Sequence, residues 1–163
     1  MQTEYKIETE FKCFIDYRTL LLDFKKIIKN NNLKFTRQRE QILRELYSLR
    51  THVTPEELYQ KIHISNPKSK TGIATVYRTL LLLEKEAFVT AIVTEKDAKR
   101  YELASKAHHD HIICKTCGII VEFSNDEVEK IQEITANSLG FKVVGHSMQI
   151  FGICKNCQEK DNL

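Results

Sequence analysis

The sequence predicts an α+β chain in two parts, a helical domain closed by a β-hairpin over residues 1–104 and a small α/β domain over residues 105–163. Three observations predict it. Helical periodicity runs to about residue 86 and then gives way to strand-like alternation. Positive charge is confined to the first part: residues 25–104 hold 16 Lys and Arg against 9 Asp and Glu, a net +7, whereas residues 1–24 and 105–163 each come to −2. Four of the five cysteines, finally, form two C-x-x-C pairs, both in the second part. A basic part and an acidic, ligand-rich part imply two tasks in one chain, one of them binding a polyanion.

Residues 17–29 set Leu20, Leu21, Phe24, Ile27 and Ile28 at helical spacing, and the run Asn30, Asn31, Asn32 stops them. A second helix starts after Thr36, whose hydroxyl caps "RQREQILRELYSL"; Ile42, Leu43, Leu46 and Leu49 form its buried side, and Arg37, Arg39 and Arg44 face outward. The third opens with Thr54 as N-cap, Pro55 at the first helical position and Glu57 three residues after the cap, and runs to about Ile62. Beyond the loop "NPKSK" a fourth covers "GIATVYRTLLLLEKE", with Ile73, Val76, Leu80 and Leu83 inward and Tyr77 and Arg78 near its start. The segments "FVTAIVT" and "KRYELA", around the polar turn "EKDAK", read as a β-hairpin. Short helices followed by a hairpin make a winged helix, in which the helix before the wing enters the DNA major groove and the hairpin touches the adjoining backbone.

In the second part "HIICKT" and "GIIVEF" read as strands joined at a cysteine turn. A helix capped at Ser124, with Glu127 three residues on, aligns Val128, Ile131, Ile134 and Leu139 on one face, and Gly140 ends it. A long strand from Phe141 to Cys154 completes the reading. A fold of this size buries little apolar surface of its own and needs a metal staple, a partner subunit, or both.

No uninterrupted apolar run approaches the roughly 20 residues that cross a bilayer, and the start "MQTEYKIETE" lacks the basic and apolar regions of a secretion signal, so the chain is expected in the cytosol, away from membranes. Cysteines in that reducing compartment favour metal over disulfides. Cys114, Cys117, Cys154 and Cys157 supply the two thiolate pairs of a tetrahedral zinc site. The 36 residues between the pairs exceed the usual ribbon spacing, and a strand, a helix and another strand fill the gap.

The stretch "AHHDHIICKTCG" adds a second theme. If residues 108–113 are extended, His109 and His111 point to one face and His108 and Asp110 to the other, so one strand feeds two sites. Each must recruit further ligands, with His52, Glu102, Glu122, Glu129 and His146 as candidates. Imidazole and carboxylate sets suit iron(II), manganese or zinc and exchange more readily than thiolates, as a sensor requires. A water-activating metalloenzyme is the competing class, but the chain has no H-E-x-x-H helix, no nucleophile elbow and no phosphate-binding glycine loop. A structural zinc-ribbon interaction protein would leave the histidine sets unexplained.

The segments "LKFTRQR", "HVTPEELY", "GIATVYRTL", "YELA", "HHDHIICKTCG", "VEF" and "GHSMQIFGIC" resemble, in order, those of the ferric uptake regulator family of bacterial metal-responsive repressors, over about Leu20 to Cys157. The resemblance implies a homodimer with an N-terminal winged-helix DNA-binding domain and a C-terminal α/β dimerisation domain. It implies structural zinc at Cys114, Cys117, Cys154 and Cys157, and a regulatory metal held across the two domains by His52, Glu102, His109, His111 and Glu122. A third site, in the dimerisation domain, corresponds to His108, Asp110, Glu129 and His146. For DNA, an AT-rich inverted repeat, it points to Tyr77 and Arg78 on the recognition helix and Lys34 in the minor groove. Peroxide sensors of the family tend to carry aspartates where Glu102 and Glu122 stand, which favours iron(II) as the regulatory ion over peroxide or zinc sensing. The acidic extension of residues 1–19, with the unpaired Cys13, departs from many members.

Overall fold

The computed structural model describes residues 15–49, 51–93, 99–104 and 108–161. Two compact units share the chain, one ending at residue 107 and the other starting at residue 108. The turn at residues 94–98, the extension through residue 14 and Cys13 lie outside the described residues.

In the first unit the order is α1 (Tyr17–Asn30), α2 (Arg37–Ser48), α3 (Pro55–Ser65), α4 (Ile73–Lys85), β1 (Val89–Val93) and β2 (Lys99–Leu103). The asparagine run ends α1 by a specific device. Asn32 turns left-handed (φ 54°), and the amides of Asn32 and Leu33 donate to the carbonyls of Lys29 and Ile28, both at 3.0 Å; an asparagine tolerates that conformation where most residues do not. Thr36 caps α2 as expected, through Arg39 N–H. Thr54 and Glu57 form a reciprocal capping box on α3, worth about 1 kcal/mol.

Strands β1 and β2 pair antiparallel, and Val53 bridges to Tyr101 beside them. Leu20, Phe24, Ile28, Ile42, Leu43, Leu46, Val76, Leu80 and Leu83 meet in one core with residues of α3 and the hairpin. Two expectations change. Ile73 is exposed rather than inward, because it opens α4 ahead of the first turn that packs. Arg39 is part-buried and donates from Nη1 to the Lys34 carbonyl at 2.6 Å.

The second unit contains β3 (Asp110–Cys114), β4 (Ile120–Phe123), α5 (Asp126–Ser138), β5 (Gln149–Gly152) and α6 (Lys155–Asp161). The sheet order is β4-β3-β5, with β3 antiparallel to β4 and parallel to β5, so α5 is part of the crossover. The N-cap of α5 is Asn125, one residue later than Ser124, because the Asn125 side-chain Oδ1 accepts from the amides of Glu127 and Val128. The last strand covers only Gln149–Gly152 instead of Phe141–Cys154. It pairs along His111 to Cys114, where β3 ends at the cysteine turn, and just ahead of it the Asp110 carboxylate takes the Met148 amide at 3.1 Å. Helix α6 was not anticipated from the sequence. Ile131, Ile134 and Leu139, expected as a packing face, are all exposed.

Candidate metal centres

The four cysteine sulfurs lie within 4.8 Å of one another. They arrive from three places: Cys114 at the end of β3, Cys117 in the following turn, and Cys154 and Cys157 around the start of α6. Gly118 makes the turn possible, since its φ of 74° favours glycine and its amide closes on the Cys114 carbonyl at 2.8 Å. A tetrahedron with zinc–sulfur bonds of about 2.3 Å has sulfur–sulfur edges of about 3.8 Å, and Cys117 Sγ stands 3.7 Å from Cys154 Sγ. The residues fit zinc. The Cys154 amide donates to Cys114 Sγ at 3.3 Å. That bond, with a second from the Cys117 amide, brings the Cys114 thiol down to about 6, while the neighbouring Cys154 sulfur and burial push Cys157 up to about 12. Backbone amides thus favour the thiolate form of Cys114, and further negative charge beside it is stabilised by a cation.

The strand parity separates the histidines within the second unit. His108, Asp110, Glu129 and His146 gather with ligand atoms inside 4.8 Å. His108 and His146 Nε2 are 2.7 Å apart, and Glu129 Oε1 lies 3.2 Å from His108 and 3.4 Å from His146. Asp110 is buried, 3.7 Å from His146. Two imidazoles and two carboxylates at such separations suit an ion with nitrogen and oxygen ligands about 2.0–2.2 Å away. His109 and His111 occupy the other side with ring centroids 4.8 Å apart; Glu122 pairs across from His111 in the ladder and lies 3.9 Å from His109 Nε2.

In the first unit His52 Nε2 is 3.1 Å from Glu102 Oε1, and both side chains are buried. Strand β2 supplies Glu102, and the segment bridged to it at Val53 supplies His52. Lys34 and Arg78 line one cleft of about 270 Å³ with Thr36, Gln38, Arg39 and Thr75. Tyr77 is exposed on α4, and its hydroxyl donates to the Glu56 carboxylate of α3, which raises the tyrosine and lowers the carboxyl from their ordinary ranges.

Sequence reasoning left two features unplaced. His63 contacts the Thr71 carbonyl at 3.0 Å, holding the loop ahead of α4 together with Gln38 and Gln41 of α2. Arg100 forks onto Glu57, 43 positions away in the sequence.

A winged helix carried with a thiolate-stapled sheet and an imidazole–carboxylate cluster defines a metal-binding transcription regulator. The sequence pattern of the ferric uptake regulator family matches residues 30–151, and the chain belongs to that family of DNA-binding regulators. The ferric uptake regulation protein of Campylobacter upsaliensis is 50% identical over 146 residues, covering 90% of this chain and 94% of that protein. The ferric uptake regulator of Helicobacter pylori, whose structure reveals three functional metal-binding sites, superposes with a TM-score of 0.81 at 39% identity, over 90% of this chain and 97% of that one. The peroxide-responsive repressor of Staphylococcus saprophyticus is 31% identical, over 82% of this chain and 88% of that protein. No helix among the described residues is long and apolar enough to cross a membrane.

Proposed function

We propose that the protein is an iron(II)-dependent repressor of metal-uptake genes that acts in the cytoplasm as a homodimer on an AT-rich inverted repeat. Cys114, Cys117, Cys154 and Cys157 hold structural zinc. His52, Glu102, His109, His111 and Glu122 hold the regulatory ion, for which manganese(II) or zinc(II) substitutes in vitro. His108, Asp110, Glu129 and His146 hold a third. The observation that carries this reading is the pair of buried ligand types in the winged-helix unit, His52 3.1 Å from Glu102, in a chain whose second unit carries His109, His111 and Glu122 together.

Five ligands drawn from both units set how the recognition helices of a dimer are presented to half-sites one helical turn apart. Tyr77 and Arg78 read base edges, and Lys34 enters the narrow minor groove of AT-rich DNA. The exposed apolar side chains Ile131, Ile134, Leu139 and Val144 support dimerisation, since a water-exposed set of this size in a small unit marks a partner surface.

Anaerobic fluorescence anisotropy of zinc-loaded protein with an AT-rich inverted-repeat duplex, at fixed salt, tests the reading. Tight binding is expected only on titration of iron(II) or manganese(II); binding indifferent to metal would refute it. Arg78→Ala should cost about 1–3 kcal/mol of specific binding with metal stoichiometry unchanged. Loss of metal as well would contradict the division of labour.

A further inference from the structure

One face of β2 grips both ends of His52. Alternation along the strand puts Arg100 and Glu102 on the same side and Tyr101 in the core. Glu102 meets the His52 ring at 3.1 Å, and Arg100 Nη1 donates to the His52 carbonyl at 3.0 Å. The same guanidinium forks onto Glu57, Nη1 to Oε2 at 3.0 Å and Nη2 to Oε1 at 2.8 Å. Glu57 Oε2 also accepts the Thr54 amide at 3.0 Å, completing the cap of α3. The neighbouring residue in that first turn, Glu56, holds the hydroxyl of Tyr77 on α4. A series of polar contacts, joined by the chain link between Glu57 and Glu56 in the first turn of α3, therefore runs from a proposed metal ligand to a proposed base-reading side chain, entirely inside the winged-helix unit.

We propose that Arg100 and Glu57 are positioning residues that couple metal at His52 and Glu102 to the recognition helix. The inference rests on the function proposed above and deepens it. An ion held by His52 and Glu102 fixes residue 52 against β2. Because Arg100 leaves the same face of that strand and binds a carboxylate bidentately, the first turn of α3 is fixed with it. Glu56 then presents Tyr77 in one orientation. Without the ion the fork still caps α3, but the His52 end of the series is held by fewer bonds, and Tyr77 samples more orientations. Neither Arg100 nor Glu57 touches DNA or metal in this scheme. Their effect is on the ratio between metal-bound and metal-free DNA affinity.

The test uses full-length, zinc-loaded protein, the inverted-repeat duplex and manganese(II), comparing DNA Kd with and without the ion. Glu57→Gln is the informative variant, because a glutamine oxygen still accepts the Thr54 amide and preserves the cap, while the charged fork to Arg100 is lost. Arg100→Lys removes the fork from the other side. Metal is expected to tighten wild-type DNA binding by roughly 5- to 150-fold. Each variant should pull that factor toward 1, by about fivefold or more, with metal-free Kd, thermal midpoint and zinc content unchanged, and the double variant should add nothing to either single one. A factor equal to wild type would overturn the coupling. So would equal weakening of both affinities with a lowered midpoint, which is what a merely structural pair gives. If wild-type protein shows no factor at all, the proposed function falls first and this inference with it.

Discussion

Among the described residues, fifteen apolar side chains of the winged-helix unit close into one cluster, whereas in the second unit the buried apolar set is Ile113 with the side chains of Cys114 and Cys157. Helix α1 seats Leu20, Phe24 and Ile28 in that cluster; α5 buries no residue, and its Ile131 and Ile134 are more than 60% exposed. The first unit holds itself together by packing. The second, about 54 residues with three short strands, has too little buried apolar area for that, so its cohesion must come from the thiolate cluster and from whatever covers α5. Stability, accordingly, should respond to opposite perturbations in the two units.

Removing zinc is the largest of these. A structural zinc site of four thiolates contributes on the order of 10 kcal/mol, and zinc held by these four cysteines would tie the start of α6 and the segment after β5 to the β3 turn. Chelation, or Cys114→Ser, should abolish hydrogen-exchange protection in β3, β4 and β5 while the amides of α1–α4 keep theirs; loss of protection in both units together would break the comparison. The pH dependence follows from Cys114. Its folded value, about 6, is below the ordinary thiol value, so the stabilisation from its thiolate is complete above about 9 and disappears as pH falls through 6. Zinc retention, measured with a colorimetric chelator, should therefore weaken progressively as pH falls from about 9 and be lost below about 6.

A core truncation should act in the reverse sense. Phe24, fully buried and 6.3 Å from the Phe88 ring, should cost about 3–5 kcal/mol on replacement by Ala, seen as a lower thermal midpoint of the winged helix with zinc content unaffected. Ile134→Ala, on the exposed face of α5, should change the stability of the zinc-loaded second unit by less than about 0.5 kcal/mol yet weaken self-association in sedimentation velocity. An Ile134 variant that lowered that stability and left association intact would show that α5 is covered by its own chain.

Much of this was legible in the sequence wherever one local rule decided the outcome. Thr36, Thr54 with Glu57, and the apolar spacing of α1 to α4 fixed four helices to within a residue or two at most ends, because a cap and a buried stripe act over short range. The alternation expected of residues 108–111 agrees with the structure in grouping His108 with Asp110 and His109 with His111, since an extended backbone sends successive side chains to opposite sides. What failed depended on partners distant in sequence. The last strand starts only at Gln149 because its pairing along β3 covers only His111 to Cys114. Arg100 finds Glu57 across 43 positions. The apolar face of α5 was read correctly as a stripe, but periodicity does not say whether the covering surface belongs to the same chain.

Two helix ends make the same contrast at the smallest scale. Helix α4 closes with Ala87 left-handed at φ 52°, Ala87 N–H on Glu84 and Phe88 N–H on Leu83; α5 closes with Gly140 at φ 83°, Gly140 N–H on Asn137 and Phe141 N–H on Ala136. The hydrogen bonding is the same, but the residue at the left-handed position differs. An alanine there costs about 1–2 kcal/mol, a cost the first unit bears because the next residue, Phe88, packs against the core. Phe141, its counterpart, is 69% exposed, so no packing offsets the strain and the position takes glycine. Ala87→Gly should therefore stabilise the winged helix by about 0.5–1 kcal/mol, the strain relieved exceeding the added freedom of the unfolded chain. Gly140→Ala, which meets no atom within 4 Å, should destabilise the zinc-loaded second unit by about 1 kcal/mol through backbone strain alone. Denaturant midpoints of both variants check this: a neutral Ala87→Gly would mean that the Phe88 contact depends on the alanine methyl, and a neutral Gly140→Ala would mean that α5 already has packing enough to override its local rule.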